Sequence, residues 1–213
     1  YKISGIDFKL ICFLSLRGFF SERKKIKSQY SLAFVFPMFP KLKNWKIHTR
    51  LVAFLLKDAD LVICRGIFTT NLALRTNSSV KIIYDGRGAI NAEQIEYGVY
   101  NNTGLENKIY HLEKRAILDT DYRISVSTKL VNYWRKEYNF NSDNYVVIPS
   151  TSNHEIKFFN AKHIDFQIKE DDILVVFSGS QSKWHSFSTM LAHFESFLEK
   201  NSHVKILILS KKK

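Results

Sequence analysis

Short apolar runs alternate with amphipathic stretches along most of this chain. "FKLICFLSL" (Phe8–Leu16), "SLAFVFPMF" (Ser31–Phe39), "ADLVICRG" (Ala59–Gly66), "VKIIYDGRG" (Val80–Gly88), "YRISVST" (Tyr122–Thr128) and "YVVIPS" (Tyr145–Ser150) read as strands. Between them, Ile47, Leu51, Phe54 and Leu55 recur on one face of a helix, and a short helix carries Leu72 and Leu74. Helical patterns also run from about Asn91 to Tyr100 and from about Leu105 to Asp119, and "KLVNYWRKEY" (Lys129–Tyr138) is a third. Strand–helix alternation predicts right-handed βαβ units and a parallel sheet. Strands that are apolar at every position, rather than at alternate ones, predict helices on both faces.

The pattern changes after Pro149. Residues 151–172 are polar and lack periodicity, which reads as a linker. "ILVVFSGS" (Ile173–Ser180) is then a strand. Phe187, Met190, Leu191, Phe194, Phe197 and Leu198 follow at helical spacing, and "VKILILS" (Val204–Ser210) is a second strand. The expected organisation is therefore α/β throughout. Residues 1–150 form a parallel-sheet, Rossmann-like N-terminal domain. Residues 173–213 supply the first βαβ unit of a second such domain. A two-stranded sheet is marginal alone, so either the second domain is incomplete and the chain truncated, or this last unit is expected to pack on the first domain.

Composition adds two constraints. With 213 residues, 45% hydrophobic and 14% aromatic, the chain has ample material for a packed core. Cys12 and Cys64 sit inside apolar runs and read as free thiols of a reducing compartment. The net charge of +12 is unevenly spread. Residues 17–57 hold ten Lys or Arg and a single acid, Glu22, and interleave them with Phe19, Phe20, Phe39 and Trp45. Such a segment suits an anionic membrane surface, and it is equally the composition of a solvated face over core aromatics.

Candidate chemistry lies just past the strands, since open α/β sheets bind ligands at their carboxyl ends. Arg65–Gly66, Asp85–Gly86–Arg87–Gly88 and Ser127 occupy such positions, with Glu93 a few residues on. Glycines there let backbone N–H groups approach an oxyanion, and arginines offer forked contacts to phosphate or carboxylate. Asp85 is open to two readings: it orients a substrate hydroxyl or accepts a proton, or it simply pairs with Arg87 or caps the next helix. The chain has no G-x-G-x-x-G fingerprint, Walker loop, H-E-x-x-H or G-x-S-x-G elbow, which removes the commoner dinucleotide, P-loop, zinc and hydrolase readings.

From Asp60 to Leu209 the order of these pieces resembles the GT-B glycosyltransferases, and most closely the retaining "group 1" family that assembles bacterial surface polysaccharides. The matching pieces are the Asp-x-Arg-Gly strand end at Asp85–Gly88, Lys114–Arg115–Ala116 ahead of Thr120–Asp121, Val126–Ser127, and Val147–Ile148–Pro149. "VVFSGSQSKWHSF" is similar to the family's Gly-Arg-x-x-x-x-Lys-Gly loop, with Ser180 and His185 where the family has Arg and Lys. The resemblance implies transfer of a sugar from a UDP- or GDP-sugar to a glycan or lipid-linked acceptor, in a cleft between the domains. It implies no further cofactor and no metal. It makes Asp85 and Arg87 the expected catalytic pair and Arg65, Gly66, Glu93 and Ser127 the acceptor side. Gly179, Ser180, Lys183 and His185 become the donor-phosphate loop. A cytoplasmic enzyme docked on the inner face of the plasma membrane through residues 17–57 is the implied setting, with no nucleic-acid partner. The competing expectations are a sugar-nucleotide epimerase of the same fold and a basic nucleic-acid-binding module.

Overall fold

The computed structural model describes residues 7–39, 41–76, 79–151, 169, 171–179 and 187–209. The fold is α/β, and every strand pairing described is parallel. Two compact units are present, residues 1–94 with 100–149, and residues 95–99 with 150–213.

In the first unit, β1 (Leu10–Ser15) and β2 (Ala33–Met38) form a two-stranded sheet, joined by α1 (Phe19–Gln29). A second sheet has the order β3 (Leu61–Arg65), β4 (Lys81–Gly86), β5 (Tyr122–Ser125), β6 (Tyr145–Val147). Between these sheets in sequence, a 3-10 segment Leu42–His48 runs into α2 (Thr49–Leu55). The remaining helices are α3 (Ile67–Leu74), α4 (Ile90–Tyr97), α5 (Ile109–Leu118) and α6 (Thr128–Tyr138). The second unit holds β7 (Ile173–Ser178), α7 (Phe187–Lys200) and β8 (Val204–Leu209), with Phe187 of the helix against Phe177 of the strand.

The register separates the two faces of the four-stranded sheet. Cys64, Tyr84, Arg123 and Tyr145 are aligned across it and point one way. On that side Tyr84 packs with Ile67 of α3, Ile109 and Ile117 of α5, and Val131 and Trp134 of α6. Cys64 and Ile82 belong to a neighbouring cluster with Trp45, Val52, Leu56 and Leu72, which also takes in Ile11, Phe13 and Met38 from the first sheet. The opposite face presents Leu61, Ile63, Tyr122 and Val146, and these are 42–57% exposed. Helices on both faces, expected from the apolar strands, are therefore not what the described residues show. The cause is topological. Strands laid down in order across a sheet, each by a right-handed crossover, put every crossover helix on the same side.

Two further expectations need correction. The helical stripe Ile47–Leu51–Phe54–Leu55 is not the buried one: Ile47 is 58% and Phe54 73% exposed, while Trp45, Val52 and Leu56 are buried. Ile47 lies in the 3-10 segment, where three residues make a turn, so a 3.6-residue period counted from it is out of phase with α2. Trp45 is accordingly a core residue and not a membrane-facing aromatic. The segment "FFSERKKIKSQ", read only as a basic stretch, forms α1, which buries none of its residues.

Candidate functional site

The loops after β3, β4 and β5 gather most of the residues singled out from the sequence. Arg65 and Asp85 are register partners on adjacent parallel strands, so both side chains leave the same face of the sheet. Gly66 follows at φ +83°, a left-handed conformation that costs glycine little and other residues more. Its N–H donates to the Asp85 carbonyl at 3.2 Å. Its own carbonyl accepts from the Thr70 N–H at 3.3 Å and the Thr70 hydroxyl at 2.8 Å, which starts α3 directly behind Arg65.

Asp85 is only 6% exposed. Its partner is Arg87, two residues on. The guanidinium Nε stands 2.9 Å from Asp85 Oδ1 and donates to Oδ2 at 3.1 Å. Oδ1 has no hydrogen bond of good direction among the described residues. Gly86 lies between the pair against the ring of Trp134, where a Cβ would come within 2.5 Å of Cζ2. The close approach of β4 to α6 therefore requires glycine. At Gly88 the obstacle to a Cβ is the Glu93 carboxylate, which folds over the loop. Burial pushes the Glu93 carboxyl above its ordinary value.

Beneath this loop lies a polar cluster that the sequence did not reveal. Glu113, from α5, is fully buried. Its two oxygens accept the N–H groups of Ile90 and Asn91 at 2.8 and 2.7 Å, satisfying the first turn of α4, and the Tyr138 hydroxyl at 2.7 Å. Desolvation nonetheless raises the Glu113 pKa. Tyr84, also fully buried, is raised by burial and then by the nearby Glu113, Asp85, Tyr100 and Glu93. Arg123 performs the matching service at the end of α5. Its guanidinium donates to the carbonyls of Ile117 and Leu118 and lies over the Phe140 ring. A Glu or Arg inside "LEKRAIL" or "DYRIS" looks like any helix-surface or strand-end charge. The partners that make them structural are chosen by tertiary contacts.

Ser127 caps α6, its Oγ accepting from the Leu130 N–H at 3.2 Å. Gly179 belongs to the second unit, where its N–H donates to Leu209 O at 3.1 Å. Ser180, Lys183 and His185 lie outside the described residues. Cys64 is a buried free thiol with its pKa pushed up to about 12 by desolvation, and Cys12 is a half-buried free thiol. Among the described residues no group of three or more His, Cys, Asp and Glu is placed to hold a metal ion, and no helix is long and apolar enough to cross a membrane. A groove of about 340 Å³ runs between α1 and β2, lined by Arg23, Lys27, Leu32, Phe34 and Phe36.

No protein-family model matches this chain, and no curated protein matches it.

Proposed function

We propose that this chain is a glycosyltransferase of the GT-B type, with residues 1–150 as its acceptor side and the loop after β7 as its donor-phosphate side. The observation that carries the reading is the Asp85–Arg87 pair at the carboxyl end of an interior strand of a parallel sheet, in register with Arg65 and flanked by Gly66 and Gly88. That is where open α/β folds bind ligands, and where cationic side chains meet phosphate or carboxylate. Loss of a nucleoside diphosphate from the donor builds negative charge on the leaving group, and fixed positive groups and backbone N–H groups lower that barrier. Gly179 and, by the resemblance, Ser180, Lys183 and His185 are the groups assigned to it. The exposed cations of α1 beside the highly exposed Phe20 support docking of the same unit on an anionic membrane.

The test is transfer from radiolabelled UDP- and GDP-hexoses to glycan and lipid-phosphate acceptors, with free UDP or GDP as competitor. The expected result is competable transfer that falls at least about tenfold in Arg87→Gln, the loss of one charge-assisted contact. Binding to duplex DNA that weakens steeply with salt, with no response to UDP or GDP, would replace the transferase with the nucleic-acid reading.

A further inference from the structure

We infer that Asp85 is a positioning residue rather than an acid or base, and that Arg87, held by it, forms with Arg65 a binding site for a phosphate group on the acceptor-side ligand. The inference rests on the reading of this loop as the acceptor side, and it does not require the donor half of the reaction.

The geometry of Arg87 makes the case. Asp85 engages the guanidinium through Nε alone. Among the described residues the two terminal nitrogens of Arg87 have no hydrogen-bond or ion-pair partner, and neither has the exposed side chain of Arg65. A guanidinium pinned at Nε has its rotation restricted and presents both terminal NH2 groups along one edge. That edge matches two oxygens of a phosphate. Arg65 leaves the neighbouring strand in register with Asp85 and on the same face, so the same strand ends supply a second guanidinium. Space is open beside Gly66, while beside Gly88 it is filled by the Glu93 carboxylate. After Asp85, the carboxylate met on this loop is Glu93, folded against Gly88, and it bounds the site on the α4 side.

This arrangement also explains why a carboxylate is almost completely buried beside a ligand loop. A free Asp there would repel an anionic ligand. An Asp neutralised by Arg87 fixes the direction of the guanidinium while leaving its far edge for the ligand. Asp85 Oδ1 is buried against the same guanidinium, 2.9 Å from Nε, so the carboxylate faces Arg87 rather than the ligand. The ligand class is thus a phosphate ester. A soluble sugar phosphate and a lipid phosphate headgroup share that chemistry.

The sign of one substitution decides the matter. Calorimetric titration of the whole chain with inorganic phosphate and with glucose 1-phosphate gives saturable binding, weakened about tenfold or more in Arg87→Gln and severalfold in Arg65→Gln. Asp85→Asn removes a negative charge, so simple electrostatics has it bind phosphate more tightly. Positioning has it bind more weakly, and Arg87→Lys, which keeps the charge but not the fork, fails to rescue. Vesicles containing phosphatidic acid, compared with neutral vesicles, form the second arm. Retention on the acidic vesicles that is lost in Arg87→Gln identifies the lipid source, and retention unchanged in that variant leaves the soluble ester. If a variant does not fold, shifts of the Gly66, Gly86 and Gly88 amide resonances of the wild-type chain on adding phosphate serve instead. Tighter phosphate binding by Asp85→Asn, or no binding of either ester by the wild-type chain at about 10 mM, roughly the ceiling for a specific contact, overturns the inference. Phosphate binding without any sugar transfer would leave it standing and count against the transferase alone.

Discussion

The two faces of the four-stranded sheet are built from similar residues and meet opposite fates. One side buries Cys64, Tyr84, Arg123 and Ser125 under α3, α5 and α6. The other leaves Leu61, Ile63, Tyr122 and Val146 about half exposed. Hydrophobicity did not choose between them, since Ile63 is more apolar than Arg123. Winding direction did, because successive right-handed crossovers stack their helices on one side. The lesson is that burial of a polar residue reflects where the chain places its cover. A buried charge is tolerated there because each one is fully used: Arg123 on carbonyls, Glu113 on N–H groups.

The sharpest break of the comparison is Trp134→Ala set against Ile63→Ala. Trp134 is fully buried among Tyr84, Phe140 and Gly86, and its removal is expected to cost about 3–5 kcal/mol in urea unfolding. Ile63, 57% exposed, is expected to cost less than about 1 kcal/mol. Equal losses would mean that the bare face is covered in solution.

Next in size is Glu113→Ala, which strands two backbone donors and the Tyr138 hydroxyl in a dry site. A loss of at least about 2 kcal/mol is expected, because each unsatisfied buried donor costs roughly 1–3 kcal/mol. Its pH behaviour has a definite sign. Burial holds the folded Glu113 carboxyl above its ordinary value. The stabilisation from that tighter proton is complete below the ordinary carboxyl range and is lost as pH rises through the raised value. Glu113→Gln, shaped like the protonated acid, removes that slope above the ordinary carboxyl range. Asp121 runs the other way. Its Oδ2 accepts the Ile82 N–H at 2.8 Å, and this hydrogen bond holds its pKa down. Its contribution is present above the ordinary aspartate range and lost on acidification, and Asp121→Asn abolishes the loss.

The smallest effect expected is Ile63→Thr on the bare face: within about 0.5 kcal/mol in stability, as for surface substitutions generally, with a gain in solubility. A drop of several kcal/mol by thermal melting would again signal hidden cover.

The strands, most helices and the parallel winding were legible in the sequence, because apolar runs and helical spacing are local signals. So was the location of Asp85, Arg87 and Arg65, because strand ends are where α/β sheets bind ligands. Three things were not. Residues 61–64 are apolar on both sides of the pleat, so nothing in them says which side is covered. The face of α2 was misread because its lead-in is 3-10. Glu113 and Arg123 escaped notice because their partners lie on other elements, and in Glu113's case more than twenty residues away along the chain.

Strand β4 is bonded to a neighbour on each side, by β3 and by β5, whereas β1, β2, β7 and β8 each have a single partner among the described residues. That difference has a consequence for hydrogen exchange. Amides of β4 are released to solvent only when the whole sheet opens, while those of singly bonded strands exchange through fraying. Asp85 and Gly86 lie at the end of the doubly bonded strand, and Arg87 follows directly. Their backbone thus keeps its place through the local openings that loosen the edges, and the slowest-exchanging amides of the first unit are expected to lie immediately upstream of the candidate site.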